Sequence, residues 1–156
     1  MKQEYIGKTK VNKIEEYVDR LDPNFVFKNF NNDIIEKNKS WLIPNFIEKD
    51  TFLLYFSFHS YLIETPKHRI LIDTCVGNNK SRPLPNWNMR NSDFLNRFKQ
   101  FNIDRNMIDF VMCTHLHADH VGWNTLLDNG KWVPTFPNAK YIFSKKDYDF
   151  FNNVKE

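Results

Sequence analysis

Residues 52–64 read Phe-Leu-Leu-Tyr-Phe-Ser-Phe-His-Ser-Tyr-Leu-Ile-Glu, aromatic and branched side chains with polar ones interleaved. That composition suits a long, half-buried β-strand. Alternation puts Phe56, Phe58, Ser60 and Leu62 on one face and Ser57, His59 and Tyr61 on the other. His59 then reads as a satisfied, half-buried side chain or as one lying beneath a site. Thr65-Pro-Lys-His68 makes a turn with His68 in solvent, and Arg69-Ile-Leu-Ile-Asp73 returns antiparallel. The return strand is apolar until its last residue. A carboxylate at the end of a buried strand needs a partner. Asp73 has two candidates: loop amides, or the ring N–H of a metal-binding histidine.

The same reading extends along the chain. Residues 11–18 alternate loosely and open as a strand. Asp22-Pro23 is a turn, and Asn32-Asp33 caps a short helix over 34–39 that runs into Trp41-Leu-Ile-Pro44. Trp41, Leu42 and Phe46 are expected to cover a sheet edge. Residues 77–91, with Pro83 and Pro85, form a loop whose best contact residue is Trp87. Ser92 caps a helix over 93–101 with Phe94, Leu95, Phe98 and Phe101 as its apolar stripe. Residues 109–114, Asp-Phe-Val-Met-Cys-Thr, read as a buried strand. Asp128-Asn-Gly130 is a turn, 141–143 a short strand, and Ser144 with Asp147 opens a last helix.

Composition narrows the class. A chain of 156 residues suits one domain, and 41% hydrophobic content with 15 Phe can build a core. The net charge is only +3 and no run of five like charges occurs, so nucleic acid is not an expected partner. No stretch approaches the ~18 apolar residues of a membrane span. The first residues, Met-Lys-Gln-Glu-Tyr-Ile-Gly-Lys, lack the apolar core of a secretory leader. Cys75 and Cys113 each end an apolar strand and read as buried free thiols. Together these place the protein in the cytoplasm, without a membrane partner.

Residues 114–124, Thr-His-Leu-His-Ala-Asp-His-Val-Gly-Trp-Asn, carry the chemistry. His115, His117, Asp119 and His120 crowd three imidazoles and a carboxylate into six residues. Neutral imidazole and carboxylate are ligands for zinc and related ions. The bland alternative is a solvated histidine-rich loop at a helix start. A ligand cluster at the carboxyl end of a buried strand is where α/β folds place chemistry. His115 and His117 share a face on extended chain. If the chain then turns, Asp119 and His120 fall beside them, which gives two donor pairs and two adjacent metal positions. Cys113 has no evident activating base, so covalent catalysis is not expected. Gly122 supplies backbone freedom for leaving the motif. Trp123 and Asn124 face substrate or pack beneath the loop.

His-x-His-x-Asp-His after a hydrophobic strand resembles the signature of the metallo-β-lactamase-fold hydrolases. Ile70-Leu-Ile-Asp-Thr-Cys-Val-Gly77 resembles that family's strand ending in Asp-Thr before a glycine turn. Val121-Gly-Trp-Asn124 and residues 132–144 resemble the branch near lactonases and organophosphate hydrolases. The resemblance runs from about Val11 to the last residue. It implies an α/β fold, the αββα sandwich, here as its first αβ half, with residues 1–156 the N-terminal part of one domain. The family's later histidines and bridging carboxylate find no counterpart, since no histidine follows His120 and Asp128, Asp147 and Asp149 are poorly placed.

The resemblance further implies two divalent metal ions, zinc first, with iron or manganese as alternatives. His115 and His117 would hold one, Asp119 and His120 the other. Asp119 would also be catalytic, orienting the nucleophile or carrying its proton. Asp73 would stand behind a ligand instead of acting as one. The implied activity is hydrolysis of a small ester, lactone or phosphotriester by a metal-bound hydroxide, with a small-molecule substrate and a homo-oligomer as possible partners. The rival is a non-catalytic half-fold that binds metal weakly or serves only as an interaction partner.

Overall fold

The computed structural model describes residues 3–154. The chain divides into two compact units, Met1–Glu16 with His59–Glu156, and Tyr17–Phe58.

In the larger unit, β1 (Gln3–Ile6) pairs antiparallel with the start of β2 (Thr9–Leu21). β3 (Leu54–Glu64) and β4 (Arg69–Ile72) form the hairpin expected from the alternation, with Leu62 opposite Leu71. β4 then pairs in parallel with β5 (Phe110–Met112), and β5 in parallel with β8 (Lys140–Ile142). The sheet order is β1-β2-β3-β4-β5-β8. A separate hairpin, β6 (Thr125–Asp128) with β7 (Lys131–Pro134), turns at Asn129 and Gly130. Both turn residues have positive φ, which an Asn-Gly pair accepts readily.

Ile14, Leu62, Leu71, Val111, Phe94, Phe98, Ile108, Trp123 and Phe136 are buried in one cluster. Ser60 and Leu62 are buried on the face the alternation assigned to them. The segment predicted as an α-helix over 93–101 is a 3-10 helix, Phe94–Phe101. Ser92 does not cap it: its hydroxyl donates to the buried Glu16 carboxylate at 2.8 Å, and the cap position falls to Asp93, whose side chain makes no capping hydrogen bond. Asn102, in the left-handed region at φ 55°, ends the segment. Two short helices follow the apolar strands: α3 (Ala118–Val121) and α4 (Lys145–Asn153). Ser144 caps α4 by accepting from the Asp147 amide, as its sequence predicts.

In the smaller unit, Asp22 caps the single turn α1 (Pro23–Val26) through the Asn24 amide at 2.8 Å. The helix predicted over 34–39 is longer, α2 (Asp33–Leu42), with Ile35 buried. Tyr17 stacks on Phe58 at 4.8 Å between ring centres, and Arg20 pairs with Glu48 at 2.9 Å. Trp41 and Phe46 do not serve as buried cover. Each is 56% exposed, and the Trp41 ring at the end of α2 meets the Phe46 ring of the following turn edge to face, an arrangement aromatic pairs favour. Among the described residues, no helix is long and apolar enough to cross a membrane.

Candidate metal centre

Two loops leave the carboxyl ends of the parallel neighbours β4 and β5, and both are built to stay together. Asp73, the first residue after β4, donates its amide to the Met112 carbonyl at 2.9 Å. Thr74 donates its amide to the His120 carbonyl at 2.7 Å, Gly122 to Cys75 at 2.8 Å, and Trp123 to Thr74 at 2.8 Å. The last three bonds sew residues 74–75 to residues 120–123. Gly77 and Gly122 make the close approach possible. A Cβ on Gly122 would lie 1.9 Å from the Val76 carbonyl oxygen, and one on Gly77 would lie 2.5 Å from Gly122. Asp73 and Cys75 both adopt left-handed backbone, at φ 55° and 50°, which aims the Asp73 side chain across the seam.

Asp73 takes both of the partners its position suggested. Its Oδ1 accepts from the Thr114 amide and its Oδ2 from the Thr114 hydroxyl, each at 2.7 Å. His120 Nδ1 lies 2.8 Å from the same Oδ2. This fixes the tautomer of a neutral His120, with the proton on Nδ1 and the lone pair on Nε2. His120 Nε2 in turn lies 3.4 Å from Asp119 Oδ2. On the other side of the motif, His115 Nε2 lies 3.1 Å from His117 Nδ1, while His115 Nδ1 sits 3.1 Å from the Thr114 hydroxyl. The His115 and His120 rings are 3.9 Å apart between centres.

The donors therefore stand as two pairs, His115 with His117 and Asp119 with His120. Two ligands about 2.1 Å from a tetrahedral cation are roughly 3.4 Å from each other. The observed separations of 3.1 and 3.4 Å are direct hydrogen-bond and ion-pair contacts and lie near that edge. Among the described residues, no group of three or more His, Cys, Asp or Glu side chains is placed to hold one ion. His117 is exposed, and His115, Asp119 and His120 are half-buried, so the site opens to solvent.

The electrostatics follow from this arrangement. Hydrogen bonds to Asp119 and then Asp73 lift His120 to about 9, against the pull of burial. Burial pushes the Asp119 and Asp73 carboxyls up, but the His120 contact, joined at Asp73 by the Thr114 amide and hydroxyl, outweighs it and leaves both below their ordinary value. Burial and then the charges of His120 and His117 lower His115. Both effects disfavour a proton on His115, which favours its neutral, ligand form.

Other candidates fall outside the chemistry. Cys113 and Cys75 are buried free thiols, and burial raises both. Asn124 packs beneath the motif: its Oδ1 accepts from the Thr74 hydroxyl at 2.9 Å, and its amide donates to Cys113 Sγ. Trp123 is 4% exposed and stacks on Phe94. His59 meets Tyr61 edge to face, and His68 is exposed, 3.8 Å from Asp109. Trp87 lies half-buried in the 77–91 loop. That loop also carries Lys80, whose ammonium donates to the Thr125 carbonyl over the Trp132 ring and is lowered by burial to about 8.

The sequence reading passed over Glu16. Its carboxylate is 1% exposed and accepts from the Val76 amide (2.9 Å), the Ser92 hydroxyl (2.8 Å) and the Trp123 indole (2.8 Å). The available signal was its register. Asn12, Ile14 and Glu16 alternate on the buried face of β2, and an acid on such a face needs built-in partners.

A family profile of the metallo-beta-lactamase superfamily matches residues 58–154. No curated protein matches the chain in sequence. Among solved structures, a probable metal-dependent hydrolase from Staphylococcus aureus superposes with a TM-score of 0.77 at 19% identity, over 97% of this chain and 52% of that one. AidC, described as a dizinc quorum-quenching lactonase in complex with its product, gives 0.72 at 21% identity, over 99% of this chain and 48% of that one. The hydrolase AbOPH of the beta-lactamase superfamily gives 0.70 at 23% identity, over 96% of this chain and 46% of that one. The chain thus spans about half the length of these structures, and the likeness is one of fold.

Proposed function

This chain belongs to the metallo-beta-lactamase superfamily, a family of hydrolases, and we propose that it contributes the metal centre of a metal-dependent hydrolase acting on a small ester, lactone or phosphotriester. The observation that carries the proposal is the pair of donor pairs, each near the edge length of a zinc shell, backed by the Asp73–His120 contact. His115 and His117 would hold one divalent cation and Asp119 and His120 another, zinc before iron or manganese. A cation bound there supplies Lewis acidity, which brings the pKa of water from 15.7 to about 7.

The chain's own side chains account for the rest. Asp73 holds His120 in the tautomer that offers Nε2 as a donor. Asp119, with its carboxyl kept below its ordinary value, stays ionised at neutral pH and can accept a proton from the attacking water and return it to the leaving group. The substrate class draws on the lactonase and organophosphate-hydrolase neighbours. Two buried free thiols fit a reducing compartment, the cytoplasm.

One observation favours a second reading. Two donors per position make a weak site, so the chain as it stands would bind metal without turning over substrate. Incubation of the zinc-loaded chain with a lactone, an aryl ester and an aryl phosphotriester separates the two. Hydrolysis lost in Asp119→Ala supports the enzyme. Zinc uptake without hydrolysis of any of the three supports the binding module.

A further inference from the structure

Glu16 has no place in the chemistry just described, yet among the described residues it is the most thoroughly enclosed carboxylate, and both of its oxygens are used. Oε2 accepts from the Val76 amide, and Oε1 accepts from the Trp123 indole and the Ser92 hydroxyl. Burying an ionised carboxylate is costly unless donors replace its water, and here three neutral donors do so. Val76 and Trp123 lie on the two sewn loops. Three residues before Val76 is Asp73, and three before Trp123 is His120, the two groups whose 2.8 Å contact orients the centre. Arg97 anchors the same strand from the side, donating to the Glu15 carbonyl at 2.6 Å.

We propose that Glu16 is a positioning residue for the metal centre, its buried carboxylate locking residues 74–76 to residues 120–124 and through them setting how Asp73 meets His120. The inference rests on the metal-centre reading above. A neutral amide at position 16 cannot do the same work. Its one oxygen can satisfy Val76 or Trp123 but not both, and its NH2 would face a donor. The loops would then lose one tie while the core around Phe94 and Trp123 stays filled.

The test uses the whole chain and two readouts. The first is cobalt(II) titration followed by visible absorption, on wild type, Glu16→Gln, Trp123→Phe, and Ile108→Val as a core control remote in role. Glu16→Gln and Trp123→Phe should each weaken cobalt binding about tenfold and change the band shape, as loss of an outer partner does. Ile108→Val, though less heat-stable, should keep the wild-type affinity and spectrum. The second readout is the His120 ring N–H proton resonance of the metal-free chain, which reports the Asp73 hydrogen bond directly. It should be shifted or lost in Glu16→Gln and in Trp123→Phe, and kept in Ile108→Val. Wild-type cobalt affinity with an unshifted His120 signal in both Glu16→Gln and Trp123→Phe overturns the proposal. So does an equal loss in Ile108→Val. If wild type takes up no cobalt, the metal reading fails, and the His120 resonance alone decides whether Glu16 positions that pair. If Glu16→Gln does not fold, Trp123→Phe carries both readouts.

Discussion

His120 Nδ1 lies 2.8 Å from Asp73 Oδ2, across a sequence separation of 47 residues. The contact joins the end of β4 to the helix that begins after β5, and it determines which nitrogen of His120 is free. The rest of the centre is local to residues 114–120. With the Thr114–Asp73 and Thr74–His120 hydrogen bonds, the Asp73–His120 contact makes the motif part of a fold instead of a peptide.

Replacing Asp73 by Asn should therefore affect metal more than folding. The amide can still accept from Thr114, but it no longer offers a charged acceptor to His120. Zinc affinity, measured by competition with a chelating dye, should fall about 10–100-fold. Thermal stability should fall by about 1.5–3 kcal/mol, the range for a hydrogen bond to a charged group. Unchanged zinc affinity would mean that Asp73 only fastens the loop.

The metal-free chain should lose stability at alkaline pH. His120 is raised from 6.5 to about 9 by its contacts with Asp119 and Asp73. A group whose pKa is higher folded than unfolded adds stability that is fully present below its unfolded value, here below pH 6.5. That contribution fades as pH rises through about 9. The two carboxylates, lowered from 3.8, add stability above that value and lose it in acid. Urea midpoints taken from pH 5 to pH 10 should fall across the alkaline half of the range. His120→Ala should flatten that fall. Zinc should gain affinity over the same interval as the proton leaves.

Gly122→Ala should be severe. The added methyl would meet the Val76 carbonyl oxygen at 1.9 Å, and both atoms belong to backbone held by the loop-to-loop hydrogen bonds. A cost on the order of 3 kcal/mol, the upper end for overpacking, is expected. Gly130→Ala is the comparison. A Cβ there meets nothing within 4 Å, so only the strain of its φ of +77° remains, about 1 kcal/mol. Equal melting temperatures for the two variants would contradict the close contact.

Much of the fold was legible because its signals are local. Strict alternation in residues 56–62 gave the β3–β4 hairpin and its faces, and an apolar run before Thr114 gave β5 and the place of the motif. An acid ending an apolar strand marked Asp73, and the structure honours both partners considered for it. The parts that were not legible depend on distant sequence. The partners of Glu16 lie 60, 76 and 107 residues away, so nothing near it announces a role. The same carboxylate takes the hydroxyl of Ser92, the residue that stood as cap for the stripe over 93–101. β1 was invisible because all four of its residues are exposed, and an edge strand with no buried side carries no hydrophobic period.

The central claim is that His115, His117, Asp119 and His120 hold divalent metal. Calorimetric zinc titration of the chain, repeated on His115→Ala and His120→Ala, addresses it most directly. Each variant breaks one donor pair and leaves the other. Wild type should bind zinc, and each variant should bind less of it, with the ring nitrogens of the intact pair still shifting in the NMR spectrum on zinc addition. No zinc uptake by wild type, or uptake that neither substitution reduces, would contradict the account.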